Sequence, residues 1–128
     1  MDLVLGTEVV LWNKDDRYAG RTDAIVMMHD HLTIMDHKNS RKPIDTRKQY
    51  GRRKLFKYCI QCCGYARALY KMKGYQATKG CLVVGNHLTS TSDKFFFDLE
   101  SFEKELDILV NAYHGNKETI NRSMYYSL

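Results

Sequence analysis

Between Arg47 and Lys73 the residues Leu55, Cys59, Cys62, Ala66 and Leu69 recur at steps of three and four, which places them on one face of a long helix. Gly74 is a natural stop for that helix. A helix with one apolar face needs a layer to lie against, and the flanking sequence supplies strands. Residues 3–12 are rich in β-branched and apolar side chains and run into the polar turn Asn13–Arg17. Apolar runs follow from Gly20 to Met28 and from Leu32 to Lys38, separated by His29-Asp30-His31, which suits a tight hairpin. Pro43, in the polar stretch Asn39–Thr46, marks a loop before the helix.

Beyond Gly74, residues 78–87 and 94–97 read as two more strands joined through the Ser/Thr-rich segment Thr89–Ser92. Asp98 is placed to N-cap a last helix whose apolar face uses Phe102, Leu106, Leu109, Val110 and Tyr113 and which ends at Gly115. The order β-β-β-α-β-β-α predicts an α/β (α+β) fold, with a mixed central sheet of about five strands flanked by helices. Residues 1–115 make one domain, and 116–128 form a tail without an assignment. With 128 residues there is room for one core and hence one site. Phe95, Phe96 and Phe97 are expected to fill both faces of a strand, and Trp12 to serve packing.

Apolar residues at 44% and charged residues at 27% exclude a disordered chain. No apolar stretch is long enough to span a bilayer, and Met1-Asp2-Leu3 does not open a signal peptide, so a cytoplasmic protein without membrane partners is expected. Cys59, Cys62, Cys63 and Cys81 are too clustered for a disulfide framework. A single C-x-x-C pair with no histidine at zinc-finger spacing favours buried free thiols over a metal site.

The net charge of +5 is unevenly spread. Arg41, Lys42, Arg47, Lys48, Arg52, Arg53, Lys54 and Lys57 face a lone Asp45 within residues 41–57, so this segment carries +7 and the rest of the chain −2. Such a segment is either a solvated helix start or a phosphate-binding surface for nucleic acid.

Asp36 and Lys38 lie two apart on a strand and share a face with Leu32 and Ile34. If the hairpin closes with an even-length loop, Asp23, Ile25 and Met27 join that face; an odd loop turns Asp23 away. Taken alone, a D-x-K triplet is also what an ion pair on an exposed strand would show. The triplet gains weight from its order in the chain: a Gly20-Arg21-Thr22-Asp23 turn into one strand, Asp36-His37-Lys38 on the next, and Gln61-x-x-x-Tyr65 on the helix.

In these motifs and their order, over about residues 5–85, the sequence resembles the RecB-like branch of the PD-(D/E)xK nuclease superfamily. The motif pattern is most similar to the mitochondrial genome maintenance and phage exonucleases. Members show a G-x-x-D before a hairpin, a D-x-K flanked by apolar residues, and Q-x-x-x-Y on a helix.

The resemblance implies a restriction-endonuclease-like core and a Mg²⁺- or Mn²⁺-dependent deoxyribonuclease. Asp23, Asp36 and the backbone carbonyl of His37 would hold the cation, with Glu8 acting through water. Lys38 would orient the attacking water, with Gln61 and Tyr65 positioning Lys38 and the DNA backbone. The implied partner is single-stranded DNA or DNA ends, bound by the basic segment, in replication, recombination or repair, and a phage-encoded origin would fit. A junction-resolvase-like endonuclease and a catalytically inactive DNA-binding module on the same fold are the other readings. Members also carry a metal-binding histidine on a helix upstream of the first strand. All five histidines here follow Glu8, so another chain or segment is expected to supply that helix, or the site dispenses with it.

Overall fold

The computed structural model describes residues 3–40, 44–86 and 90–115. Strands β1 (Leu3–Asn13), β2 (Tyr18–Met28), β3 (His31–Ser40), β4 (Lys79–Asn86) and β5 (Thr91–Asp98) form one sheet in sequence order. Helix α1 (Gln49–Lys73) lies between β3 and β4, and a 3₁₀ turn (Leu99–Phe102) leads from β5 into α2 (Glu103–Gly115). All neighbouring strands run antiparallel except β3 and β4. A parallel pair needs a crossover connection, and α1 is that connection. The fold is therefore α+β with a mixed five-stranded sheet and the order β-β-β-α-β-β-α.

The hairpin between β2 and β3 closes in two residues, His29 and Asp30, with φ of 48° and 64°. Positive φ at both positions matches the right-handed twist of the flanking strands. The even loop length sets Ile25 opposite Ile34 and Met27 opposite Leu32. Ile25 and Ile34 meet Leu82 of β4, Cys59, Cys62, Ala66 and Leu69 of α1, and Leu106, Leu109 and Val110 of α2 in the core. Each large apolar side chain fully buried there contributes about 1.5–3 kcal/mol.

All four cysteines are free and buried. Burial pushes the thiols of Cys59 and Cys63 up to about 12, which suits packing and not redox or metal chemistry. No helix among the described residues is long and apolar enough to cross a membrane.

Several boundaries differ from the sequence reading. Strand β2 begins at Tyr18, so Gly20–Asp23 is strand and not a turn. Strand β5 starts at Thr91, inside the segment expected to be a loop, because it pairs back to Asn86. Asp98 makes no capping hydrogen bond; its carboxylate is taken by Lys79, and α2 begins only at Glu103 after the 3₁₀ turn. Helix α1 ends where expected, with Gly74 in the left-handed conformation and its N–H donating to the Tyr70 carbonyl. Phe95 and Phe97 pack on the core, while Phe96 faces away from it and is exposed. Pro43, Thr89 and the tail 116–128 lie outside the described residues.

Candidate functional site

Strands β2 and β3 pair from the hairpin only as far as Ala24 and Met35. Beyond that point β2 stays with β1, and β3 continues along β4 to the pair Ser40–Asn86. Asp23 and Asp36 stand at the fork. Its apex is tied by side chains: the buried Thr22 hydroxyl donates to the Met35 carbonyl at 3.0 Å, and the His37 N–H donates to Asp23 Oδ2 at 2.6 Å.

The same stretch of β2 breaks the strand alternation. Gly20 abuts the ring of Tyr65 on α1, yet Ile25, of opposite parity, also faces the helix layer. A Cβ on residue 20 would lie 2.6 Å from Tyr65 Cε1, so glycine lets the Tyr65 ring lie directly on the strand. Glu8, between the pairs Thr7–Ala24 and Val9–Thr22, has φ of 48° and faces solvent alongside this stretch.

Asp36 is 3% exposed. Lys38 Nζ lies 2.8 Å from Asp36 Oδ2 and donates to Gln61 Oε1 at 2.7 Å. The approach to Asp36 is not along a good hydrogen-bond direction, so this buried oxygen has no well-aligned donor. The ammonium also sits 5.0 Å above the ring of Tyr58, within cation–π range. Tyr58, Gln61 and Tyr65 are spaced i, i+3, i+7 and look from one helix face onto the fork.

Burial raises the Asp36 carboxyl above its ordinary value; Lys38 pulls it down, and Asp23, by shared hydrogen bonding and like charge, pushes it up again. The result is a buried carboxylate whose one cation does not neutralise the pair it forms with Asp23. The Tyr65 phenol is likewise raised, first by burial and then by Asp36, Cys62 and Asp23, and stays protonated.

Asp23, Asp36, Lys38, Gln61 and Tyr65, drawn from three elements, are thus brought to one place. Among the described residues no group of three or more His, Cys, Asp or Glu side chains is placed to hold a metal. A cation at the fork would rest on two carboxylates, with backbone oxygen and water completing its shell, an arrangement that suits Mg²⁺ or Mn²⁺. A buried Asp36 oxygen without a well-aligned donor, beside a second carboxylate, fits such an ion. The His37 ring is mostly exposed, with Nδ1 3.7 Å from Asp23 Oδ2, an ion pair only when the imidazole is protonated.

The basic segment divides. Arg47 is engaged by Asp45, and Arg52 donates to the carbonyls of Thr46 and Arg47, so both help shape the start of α1. Lys48 and Arg53 are exposed, while Lys57 and Lys54 lie four and seven residues before Gln61, on its side of α1. Arg41 and Lys42 lie outside the described residues.

Tyr58, read from the sequence as a packing residue, does pack against the core and in addition lies under Lys38, a contact that the sequence reading did not foresee. Sequence reasoning also missed Arg67, whose three carboxylate partners come from distant parts of the chain. Trp12, expected to serve packing, is 46% exposed.

Neither a protein-family model nor a curated protein matches the chain. Among solved structures, the crystal structure of SSO0001 is similar at 15% sequence identity and a TM-score of 0.39, over 85% of this chain and 48% of that one. The chain thus spans about half the length of the solved structure it matches.

Proposed function

We propose that this chain is a metal-dependent DNA nuclease of the PD-(D/E)xK class, RecB-like branch, hydrolysing phosphodiester bonds as an exonuclease on single-stranded or frayed ends. The observation that carries the reading is the fork itself. A buried Asp36, whose Oδ2 is ion-paired to Lys38 but has no well-aligned hydrogen-bond donor, stands beside Asp23, and the Lys38 ammonium is held between Asp36 and Gln61. Buried carboxylate oxygens without a well-aligned donor are costly and are retained where they hold something.

When bound by Asp23 and Asp36, a Mg²⁺ or Mn²⁺ ion supplies a water of lowered pKa and offsets phosphate charge. The chain's own groups do the rest. Asp36 and Gln61 fix Lys38 Nζ, which orients the attacking water and faces the negative charge growing on the phosphoryl oxygens. The ring of Tyr58 limits where that ammonium can swing. Tyr65, protonated and wedged against Gly20, holds α1 at the distance Gln61 requires. Lys54 and Lys57 continue the positive face along α1 for the phosphate backbone.

The test is incubation of purified protein with end-labelled single-stranded DNA and Mg²⁺ or Mn²⁺. Release of end label that is lost in chelator and in Lys38→Ala supports the reading. Intact DNA, or a Lys38→Ala variant as active as its parent, sinks it. Salt-dependent binding without cleavage would favour the inactive binding module, and cutting of four-way junctions with linear ends spared would favour the endonuclease.

A further inference from the structure

Along α1, Tyr50, Lys54, Lys57 and Gln61 follow one another at steps of four, three and four, so their side chains leave the helix along one narrow stripe. The stripe runs from the first turn of α1 to the fork, where Gln61 holds Lys38. Tyr50 stands at its outer end, about 16 Å from Gln61 along the axis. It is 77% exposed, the most exposed large apolar or aromatic side chain among the described residues. The turn before the helix lies over Gly51, where a Cβ would come within 2.2 Å of the Asp45 carbonyl oxygen. The inner side of the first turn is thus occupied, and the Tyr50 ring is left in water.

Other exposed aromatic side chains of α1 do not join the stripe. Phe56 is turned away from it and meets the ring of Phe102 edge-on at 5.7 Å. Tyr70, nine residues beyond Gln61, emerges from the opposite side of the helix. The cations beside Tyr50 are also uncommitted. Arg53, Lys54 and Lys57 take part in no ion pair among the described residues. The first turn of α1 holds no acid, and Asp45 is spent on Arg47. An exposed ring beside free cations offers an unpaired nucleotide a π-face for its base and positive charge for its phosphate. A duplex can use only the charge, because its bases are stacked on one another.

We propose that Tyr50 is a base-stacking platform that gives the chain a preference for unpaired strands. A base lies on the Tyr50 ring, the neighbouring phosphates meet Arg53, Lys54 and Lys57, and the strand follows the stripe to the Asp23–Asp36 fork. The path to the fork rests on the nuclease reading above; the stacking of a base on Tyr50 does not.

The test titrates the full chain, in chelator to prevent cleavage, with a labelled thymidine oligonucleotide of about ten residues. An abasic strand and a blunt duplex of the same length serve as comparisons, and anisotropy reports binding. Tyr50→Ala should bind the thymidine strand roughly tenfold more weakly, and the abasic strand and the duplex within about twofold of the parent. Tyr50→Phe and Tyr50→Trp should keep the parent's preference. Because the ring carries no charge, Tyr50→Ala should leave the salt slope unchanged, whereas each lysine lost from the stripe lowers it by about 0.7. With the ring in water, the Tm of Tyr50→Ala should match the parent's.

A Tyr50→Ala variant that binds the thymidine strand like its parent, or that loses the abasic strand and the duplex to the same extent, would overturn the platform and leave the nuclease reading intact. Tyr50-dependent binding of a glutamate peptide as tight as that of the thymidine strand would also overturn it. The expected loss of affinity, with no cleavage by the parent once Mg²⁺ and Mn²⁺ are supplied, would support the platform and sink the nuclease reading. Neither binding nor cleavage by the parent would sink both.

Discussion

Helix α1 touches two charged clusters, one through Gln61 and the other six residues on at Arg67, and they are built on opposite principles. Around Arg67, 15% exposed at its side chain, Nη1 meets Asp16 at 3.2 Å and Asp107 at 2.7 Å, while Nη2 meets Glu103 at 2.6 Å. Burial alone would favour the neutral form of Arg67, but the three carboxylates outweigh it and hold the guanidinium firmly charged. The cluster ties the turn after β1 to both helices, and His114 of α2 adds a contact to the Asp16 carbonyl. Around Lys38 the alignment fails instead: Nζ lies 2.8 Å from Asp36 Oδ2 without a well-aligned hydrogen bond, and Asp23 adds a like charge beside that buried carboxyl. A cluster whose donors and acceptors are aligned holds the fold, whereas one with a buried, poorly aligned carboxyl beside a second carboxylate is suited to bind a cation.

The largest effect that separates the two is on catalysis. Lys38→Ala should lower cleavage of end-labelled single-stranded DNA at least about a hundredfold, with far-UV circular dichroism unchanged. Arg67→Met should leave cleavage per folded molecule within about twofold of the parent. Equal losses of cleavage in both variants would erase the distinction.

The next effect is on stability and runs the other way. Arg67→Met leaves three carboxylates without their cation, and because Glu103 and Asp107 remain in partial contact with water, the cost is about 2 kcal/mol and not the full penalty of a buried charge. Thermal denaturation should show a fall in Tm of roughly 8 °C.

Asp36→Asn should do the reverse. The folded-state pKa of Asp36 is raised, so its contribution to stability is fully present below the unfolded carboxylate pKa of about 3.9 and is lost as pH rises through the folded value. At neutral pH the amide removes that penalty. Tm should rise, by the equivalent of about 1 kcal/mol, while cleavage disappears. On acidification through that window the advantage over wild type should shrink, and a Tm of Asp36→Asn below wild type at neutral pH would contradict the account.

The smallest effect belongs to the flank. Lys54→Gln with Lys57→Gln should change stability by under about 0.5 kcal/mol, yet reduce the salt slope of oligonucleotide binding by about 1.4. An unchanged slope would detach these lysines from the site.

What the sequence showed and what it hid follow from the same contrast. The two-residue turn at His29 and Asp30, the strand placement of Asp36 and Lys38, and the Gln61/Tyr65 pair on α1 all follow from local periodicity, and the even loop sets Ile25 opposite Ile34 and Met27 opposite Leu32. The fork does not follow, because the break in the alternation of β2 depends on Gly20 meeting Tyr65, a contact across the fold. Arg67 stayed hidden for the same reason, its partners lying 51, 36 and 40 residues away in the chain. Asp98 resembled a cap by position, but Lys79 on the paired strand took its carboxylate. The basic segment read as one surface, although Arg47 and Arg52 spend their donors on the turn before α1.

The most direct test of the central claim is Mn²⁺ binding, followed by electron paramagnetic resonance of the free ion, in the wild type and in Asp36→Asn. The account requires that wild-type protein take up Mn²⁺ with a matching rise in Tm, that Asp36→Asn take up none at the same concentrations, and that Arg67→Met bind as the wild type does. Equal uptake by wild type and Asp36→Asn, or none by either, would contradict it.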